Sequence, residues 1–326
     1  MTDKAIVAQG LVKTYPKGVR ALDGVGFEVA AGSVFGLVGP NGAGKSTTVK
    51  ILTTLSRPDE GQATVAGIDV LKRPDRVRGA IGCVAQKSGV DVQATGRENM
   101  MLQGRLYGMA GRSLEERVDT LLARFGLTAA ARRVTRTYSG GMQRKLDVAM
   151  GLVHRPEVLF LDEPTTGLDP EARADMWAEI ERLSSEEGLT ILLTTHYLEE
   201  ADRLPWQLAI VDEGKVVAQG SPDELKSELH GDAVHVELGE SETDGRVAAA
   251  LAQITEVHDV VVDEGRLLHA RADNGARAVP VVLQALEAHG VSVASVTVAR
   301  PSLDDVYLMH TGRRFEQADK AAEVTR

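Results

Sequence analysis

The sequence predicts an α/β domain with a largely parallel sheet, followed by a small α+β domain. Three observations predict this order. A glycine-rich loop, residues 39–47, lies between a strand-like apolar run and a helix-like segment. A second apolar run, residues 158–161, suits a central strand buried on both faces. Beyond residue 232, strand-like and helix-like segments alternate in the order βαββαβ, which is typical of a ferredoxin-like domain.

The glycine-rich loop matches the pattern G-x-x-x-x-G-K-[ST], which binds nucleotide phosphates. Glycines let the backbone turn its N–H groups toward a phosphate, and the helix that follows adds partial positive charge. Lys45 is expected to reach the β- and γ-phosphates, and Ser46 is expected to ligate Mg²⁺. The pattern therefore predicts a P-loop NTPase. The whole loop comprises Gly39, Pro40, Asn41, Gly42, Ala43, Gly44, Lys45, Ser46 and Thr47.

The second apolar run ends in two carboxylates, Asp162 and Glu163. They follow the carboxyl end of a predicted strand, where open α/β sheets bind their ligands. Asp162 is expected to hold the Mg²⁺ shell, and Glu163 is expected to orient and deprotonate an attacking water. An Asp-Glu pair can also simply end a strand on a solvated loop. That explanation is poor downstream of a phosphate loop.

Further motifs lie before and after this pair, in an order that is specific to one family. The chain resembles the ATP-binding subunits of ABC transporters, and the resemblance covers about residues 5–220. It implies an ABC-type nucleotide-binding domain with a helical subdomain. The motifs are Tyr15, Gln86, the signature-like run Tyr138-Ser139-Gly140-Gly141-Met142-Gln143, Asp169 and His196.

The resemblance implies a role for each of these motifs. Tyr15 would stack on adenine, and Gln86 would join the Mg²⁺ shell and sense a membrane partner. Asp169 corresponds to the D-loop aspartate. His196 would contact the γ-phosphate and the attacking water. Taken alone, a histidine after an apolar strand is more often a packing residue, and a lone tyrosine is more often a half-buried strand residue.

The signature-like run implies a second subunit. By resemblance, Ser139, Gly140 and Gly141 lie at a helix N-terminus, which is an anion site. In the family this site caps the γ-phosphate of ATP bound to the opposite subunit. We therefore expect a homodimer that encloses two Mg²⁺–ATP.

The signature departs from the usual L-S-G-G-Q at two positions, Tyr138 and Met142. This variant and the C-terminal extension resemble the ATP-binding subunits of daunorubicin-resistance-type drug exporters. The resemblance implies an ATPase that drives a separate membrane permease to export a hydrophobic drug, antibiotic or lipid-like compound. It places the chain at the cytoplasmic face of the membrane. A soluble ABC ATPase of translation or DNA maintenance and an importer ATPase remain as alternatives.

Composition limits the remaining possibilities. The 326 residues suffice for one large and one small domain. No run approaches about 18 consecutive apolar residues and no signal peptide is evident, so membrane helices are expected in a separate chain. The net charge is −10, without a basic stripe, which argues against nucleic acid as a partner. The single cysteine, Cys83, lies in an apolar strand-like run and is expected to be inert packing.

The predicted domain boundaries follow from these patterns. Residues 1–220 form the ATPase domain, with a helical subdomain at about 93–140. Residues 221–231 form a linker, 232–312 the accessory domain, and 313–326 a disordered tail. The accessory domain should contain helices at 246–254 and 276–289 and shows no catalytic pattern. Six histidines without metal-ligand spacing are expected to be scattered surface or core residues: His230, His235, His258, His269, His289 and His310.

Overall fold

The computed structural model describes residues 3–202, 207–239, 254, 257–263, 267–315 and 317–319. The chain divides into two compact units. The first comprises Met1–Tyr197 and Trp206–Val216, and the second comprises Leu198–Pro205 and Val217–Arg326.

The first unit is organised around a six-stranded sheet and a four-stranded sheet. Their strands are β1 (Lys4–Tyr15), β2 (Val19–Ala30), β3 (Val34–Val38), β4 (Glu60–Val65), β5 (Ile68–Asp69), β6 (Ile81–Val84), β7 (Val158–Asp162), β8 (Thr190–Thr195), β9 (Gln207–Asp212) and β10 (Lys215–Gly220), the last of which continues past the unit boundary at Val216. The strand orders are β10-β9-β3-β8-β7-β6 and β2-β1-β4-β5. In the larger sheet, β3 pairs in parallel with β8 and β9, and β7 pairs in parallel with β6 and β8. Its central strands are apolar along their length because both faces are covered.

Six helices of the first unit flank these sheets. They are α1 (Lys45–Leu52), α2 (Pro74–Ala80), α3 (Gly96–Leu106), α4 (Gly111–Arg124), α5 (Gly140–Gly151) and α6 (Pro170–Glu187). One hydrophobic core joins the two sheets, and a second joins the helical region to β7 and β8. The helices at 96–106 and 111–124 confirm the predicted helical pattern in this region.

The apolar residues of α3 and α4 have different environments. Val118, Leu121 and Leu122 of α4 are buried, as their spacing predicts. Leu102 and Leu106 of α3 also recur at helical spacing, but they are 55% and 73% exposed. A helical repeat identifies one face of a helix but does not say what covers that face, so the sequence could not separate these two cases.

The described elements of the second unit are α7 (Leu198–Asp202), α8 (Pro222–Ser227), β11 (Asp232–Leu238), β12 (Val257–Asp263), β13 (Leu267–Ala272), α9 (Gly275–Ala288), β14 (Val293–Ala299) and α10 (Leu303–Thr311). The strands form a four-stranded sheet of order β12-β13-β11-β14. Neighbouring strands pair antiparallel, as in the predicted ferredoxin-like arrangement. The predicted helix at 246–254 lies outside the described residues except for Ile254.

Three sequence-based expectations need correction. Cys83 is exposed rather than packed, because β6 is an edge strand of its sheet. The described part of the tail is not disordered, since Phe315 is 7% exposed and packs edge-on against Tyr307, with ring centroids 5.1 Å apart. His235 and His269 are not scattered, because they are register partners on β11 and β13.

Among the helices in the described part of the chain, none has both the length and the apolar character needed to cross a bilayer.

Candidate active site

The predicted phosphate and carboxylate motifs meet at one edge of the six-stranded sheet. Val38, the last residue of β3, pairs with Thr195 of β8. Asp162, the last residue of β7, pairs with Thr194. Parallel strands end at the same edge, so the sheet register brings together groups that are more than 100 residues apart in sequence.

The phosphate loop is held in place by close backbone contacts. A Cβ at Gly39 would lie 2.2 Å from the Val211 carbonyl oxygen. Gly44 has a φ of +110°, and a Cβ there would lie 2.6 Å from the Ala21 carbonyl oxygen. Only glycine fits these two positions, because one is sterically closed and the other also needs a left-handed backbone.

Lys45 spans the mouth of this loop and is 4% exposed. Its Nζ donates hydrogen bonds to the carbonyl oxygens of Gly39 at 2.5 Å and Pro40 at 3.0 Å. Helix α1 begins at Lys45 without a side-chain cap on its N-terminus. The ammonium group and the helix N-terminus together form a site of positive potential suited to phosphate.

Ser46 and Asp162 form an oxygen-donor pair. Ser46 Oγ lies 3.2 Å from Asp162 Oδ1, and Thr194 Oγ1 donates to the same carboxylate oxygen at 2.6 Å. Neighbouring ligands of an octahedral Mg²⁺ with bonds of 2.0–2.1 Å lie about 2.9 Å apart. The pair therefore fits a magnesium ion in both chemistry and spacing, and Thr194 orients the carboxylate.

Glu163 has an unusual backbone and a buried side chain. Its φ is +50°, which is rare for a residue other than glycine, and it is 6% exposed. Its N–H donates to Thr194 Oγ1 at 3.0 Å. Gln86 Nε2 donates to Glu163 Oε2 at 2.7 Å. His196 Nδ1 lies 3.3 Å from Oε1, within ion-pair distance but without good hydrogen-bond geometry.

The charge state of Glu163 follows from opposing effects. Burial raises the pKa of its carboxyl, but the contact and charge of His196, the charge of Lys45 and the Gln86 hydrogen bond outweigh burial and lower the pKa. Glu163 is therefore a carboxylate at neutral pH, as a general base requires.

Arg144, which the sequence reasoning missed, connects the elements of this site. It lies on α5 and is 8% exposed. Its guanidinium donates to the carbonyl oxygens of Ala85, Asp162, Glu163 and Pro164 over 2.7–3.1 Å. These bonds join the segment that carries Gln86 to the end of β7. In the sequence, Arg144 is recognisable only as an arginine five residues after Ser139. That position does not indicate which carbonyl groups the arginine binds.

Asp147, one turn further along α5, makes a similar connection. It is 6% exposed, and its Oδ1 accepts a hydrogen bond from the Gly89 backbone N–H at 3.0 Å. Burial raises the pKa of Asp147, although hydrogen bonds from Ser88 and Gly89 and the charge of Arg144 oppose this shift. Helix α5 thus holds the segment on both sides of Gln86, at Ala85 and at Gly89.

The signature residues lie at an exposed helix start. Ser139 is the N-cap of α5, and its Oγ accepts the Met142 N–H at 3.2 Å. Ser139 and Gly140 are both exposed. A Cβ at Gly141 would lie 2.9 Å from Ala172 Cβ, in the first turn of α6. The signature and the start of α6 are therefore adjacent on the surface.

Asp169 caps α6 in the same way, and it is exposed. Its Oδ1 accepts the Ala172 N–H at 2.9 Å. The contacts described for Ser139 and Asp169 are made within their own helix caps. They do not join the cluster of Lys45, Asp162 and Glu163 through any contact among the described residues.

The two unusual signature positions have packing roles. Tyr138 is 6% exposed, and its hydroxyl donates to the Ala130 carbonyl oxygen at 2.7 Å. A Cβ at Gly96 would lie 2.4 Å from the Tyr138 hydroxyl, so the tyrosine fills space that a glycine leaves open. Met142 packs against the helical core. Both departures concern the core beneath the signature, and Ser139 remains exposed.

Tyr15 ends β1 and is half-buried. It pairs with Val19 at the end of the β1–β2 hairpin, and Lys13 Nζ lies 5.9 Å from its ring centre. The same hairpin carries Ala21, whose carbonyl abuts Gly44 of the phosphate loop. This arrangement places the aromatic ring on the hairpin that borders the loop.

Comparisons with known protein families agree with this geometry. Residues 22–166 match the family model described as ABC transporter. Residues 220–311 match the model described as ATP-binding protein DrrA1-3-like, C-terminal domain. The two matches cover both regions that the sequence patterns distinguish.

Full-length relatives are also similar. The daunorubicin resistance ATP-binding protein DrrA3 of Streptomyces coeruleorubidus is 45% identical, over 98% of this chain and 100% of that protein. The daunorubicin/doxorubicin resistance ATP-binding protein DrrA of Streptomyces peucetius is 42% identical, over 98% of this chain and 97% of that protein. The linearmycin resistance ATP-binding protein LnrL of Bacillus subtilis is 34% identical, over 94% and 98%.

Solved structures resemble about two thirds of the chain. A cbiO1 protein of Clostridium perfringens, part of the ABC transporter complex cbiONQ, aligns with a TM-score of 0.64 and 28% identity, over 69% of this chain and 92% of that one. A dimeric ATP-binding cassette in a post-hydrolysis state, bound to ADP and Pi, aligns with a TM-score of 0.61 and 25% identity, over 67% and 98%.

Proposed function

This chain belongs to the ATP-binding subunits of ABC transporters, and we propose that it powers a bacterial exporter of a hydrophobic drug or antibiotic. It is an ABC-type ATPase. The observation that carries the proposal is the convergence of Lys45, Asp162, Glu163 and His196 at one sheet edge, beside a phosphate loop. A lipid-like cargo is the alternative within the same activity.

Each residue of this site has a defined task in the proposed reaction. The loop N–H groups and Lys45 bind the β- and γ-phosphates. Ser46 and Asp162, with Gln86, would hold Mg²⁺, which neutralises charge on the phosphates. Glu163 takes the proton of the attacking water as a general base.

The remaining parts of the site position these groups and the nucleotide. His196 holds the Glu163 carboxylate from one side and faces the γ-phosphate. Arg144 and Thr194 fix the backbone of β7 on which the two carboxylates depend. Tyr15 stacks on the adenine base. These tasks require the phosphates to lie between the loop and β7.

We propose that the active enzyme is a homodimer. A polar surface is formed by the exposed residues Ser139, Gly140 and Asp169. It includes the N-termini of helices α5 and α6, which Ser139 and Asp169 cap. A helix N-terminus favours an anion, and a second subunit would bring its ATP γ-phosphate to this point.

The partner permease docks on the helical region in this proposal. Leu102 and Leu106 expose apolar side chains on α3, at 55% and 73%. Exposed apolar surface of this kind favours a protein partner. The assembly would hold the chain at the cytoplasmic face of the membrane.

Transport in inverted membrane vesicles tests this function. Vesicles containing the chain and the membrane protein that copurifies with it are expected to accumulate daunorubicin when ATP is added. Vesicles with Glu163→Gln should bind ATP but accumulate no drug. ATP-dependent uptake that persists with Glu163→Gln would contradict the catalytic assignment. If the vesicles hydrolyse ATP and take up a labelled lipid but no drug, the cargo is lipid-like and the drug-export proposal is wrong.

A further inference from the structure

Two histidines of the second unit face each other across neighbouring strands. His235 of β11 and His269 of β13 are register partners. Their Nδ1 atoms lie 2.7 Å apart, and their ring centres lie 4.8 Å apart at an angle of 79°. At that distance one Nδ1 carries the hydrogen and the other offers its lone pair. A tautomer shift that moves this hydrogen to Nε2 would leave an Nδ1 lone pair on each ring for a metal ion.

A carboxylate lies beside this histidine pair. Asp305 is the third residue of α10, and its Oδ2 accepts hydrogen bonds from the Ser302 backbone N–H and hydroxyl, both at 2.8 Å. Its other oxygen, Oδ1, lies 3.8 Å from His235 Nε2. The capping box therefore fixes the carboxylate and directs one oxygen toward the histidines, as outer hydrogen bonds do for metal ligands.

The cluster of two histidines and one aspartate is largely buried but borders an open cleft. His269 is 4% exposed, and the side chains of His235 and Asp305 are 23% and 11% exposed. An open cleft of about 350 Å³ is lined by His235, Asp305 and Glu237, among others. The cleft gives an ion a path to the cluster and leaves room for a bound water.

The local charge favours a cation. Residues beyond 220 carry nearly all of the net charge of −10. Asp304 lies next to Asp305 in the same cleft. Asp304 pairs with Arg314, whose Nε lies 3.7 Å from Asp304 Oδ2. A bound cation would relieve the repulsion between these carboxylates.

We propose that His235, His269 and Asp305 bind a divalent transition-metal ion of the Zn²⁺ class. Two imidazoles and one carboxylate are a common donor set for zinc, with water in the fourth position. Mg²⁺ and Ca²⁺ prefer oxygen ligands and do not suit this set. The proposal is independent of the transport function, because the cluster shares no residue with the nucleotide site.

The geometry is close to what such an ion requires. Donor atoms of the three residues lie within 4.8 Å of one another. Zinc bonds of 2.0–2.1 Å in a tetrahedral site need donor separations of about 3.3 Å. His235 directs Nδ1 to His269 and Nε2 to Asp305, so its ring must turn for one nitrogen to share an ion with both partners. The ion would then cross-link β11, β13 and α10 and stabilise the second unit.

Titration of the full-length chain without an affinity tag tests the site. We expect the chelator-treated protein to bind one equivalent of Co²⁺, followed by the visible absorption of the bound ion, and to release it to Zn²⁺. His235→Gln, His269→Gln and Asp305→Asn should each weaken Zn²⁺ binding by at least about tenfold. His310→Gln is the matched control, because His310 is an exposed histidine at the end of the same helix.

A second measurement uses only the wild-type chain. Zn²⁺ should shift the imidazole ¹⁵N resonances of His235 and His269 and leave that of His310 unchanged. Zn²⁺ should also raise the unfolding temperature of the wild type but not of His235→Gln. Two results would overturn the proposal: no stoichiometric binding at micromolar Zn²⁺, or undiminished binding in the His235→Gln/His269→Gln double variant.

Discussion

The Gln86 side-chain amide donates a hydrogen bond to the Glu163 carboxylate, with 2.7 Å between Nε2 and Oε2. The two residues are 77 positions apart in sequence. This contact connects the segment expected to sense the permease with the proposed catalytic base. A movement of Gln86 would therefore change the environment of Glu163 directly, which offers a physical route from permease docking to hydrolysis.

Glu163→Gln is expected to leave ATP affinity nearly unchanged and to lower ATP turnover by about 10²–10⁴-fold, the usual contribution of a general base. The variant should accumulate an ATP-bound dimer, because hydrolysis no longer separates the subunits. Steady-state ATPase assays and light scattering with ATP measure both effects. Near-normal turnover would show that a group other than Glu163 acts as the general base.

The pH dependence of stability is expected to change in the same variant. The lowered pKa of Glu163 means that its contribution to folding is fully present above the unfolded-state pKa, near 4.5. This contribution is lost as the pH falls through the still lower folded-state pKa. The stability difference between wild type and Glu163→Gln should thus shrink as the pH falls below about 4.5. Denaturant unfolding at several pH values measures it, and a pH-independent difference would contradict the expected charge state.

Arg144→Gln is expected to lower the free energy of unfolding by roughly 2–4 kcal/mol and to reduce ATP turnover, because several buried carbonyls lose their donor. Lys145→Gln is the matched control. Lys145 forms a partly exposed ion pair with Asp175. Loss of this ion pair should lower the free energy of unfolding by at most about 1 kcal/mol. Urea unfolding and ATPase assays of both variants decide the question. Equal stability of the two variants would remove Arg144 from its proposed positioning role.

Ser139→Arg is expected to bind ATP with nearly wild-type affinity and to hydrolyse it poorly, because the signature serves the opposite subunit in the proposed dimer. Mixing Ser139→Arg with Lys45→Ala should restore part of the activity, since one composite site then lacks both lesions. Nucleotide binding and ATPase assays on the mixture test this. A collapse of ATP affinity in Ser139→Arg alone would argue against action across the interface.

Tyr15→Ala is expected to weaken ATP binding by about 1–3 kcal/mol, the range measured for base stacking on aromatic side chains. Tyr15→Phe should retain the affinity, because it keeps the ring and loses only the hydroxyl. Calorimetric titration with a non-hydrolysed ATP analogue compares the three proteins. Equal affinities would assign Tyr15 to packing.

The sequence by itself determined the family, the P-loop fold and the four strands that the structure describes in the second unit. It could do so because phosphate binding depends on the backbone of nine adjacent residues, 39–47, and because strands and helices have their own apolar periods. The family resemblance also placed Ser139 at a helix N-terminus, and the structure shows it as the N-cap of α5.

The tertiary structure alone decided which distant groups meet. Strand register places Asp162 against Thr194 and pairs His235 with His269 across 34 residues. It also decided that Arg144 reaches the β7 carbonyls and that Glu163 adopts a positive φ. None of these contacts has a local sequence pattern, because each depends on how separate elements pack. For this reason the spacing of the histidines in sequence predicted scattered residues. The pairing of β11 with β13 instead places His235 beside His269.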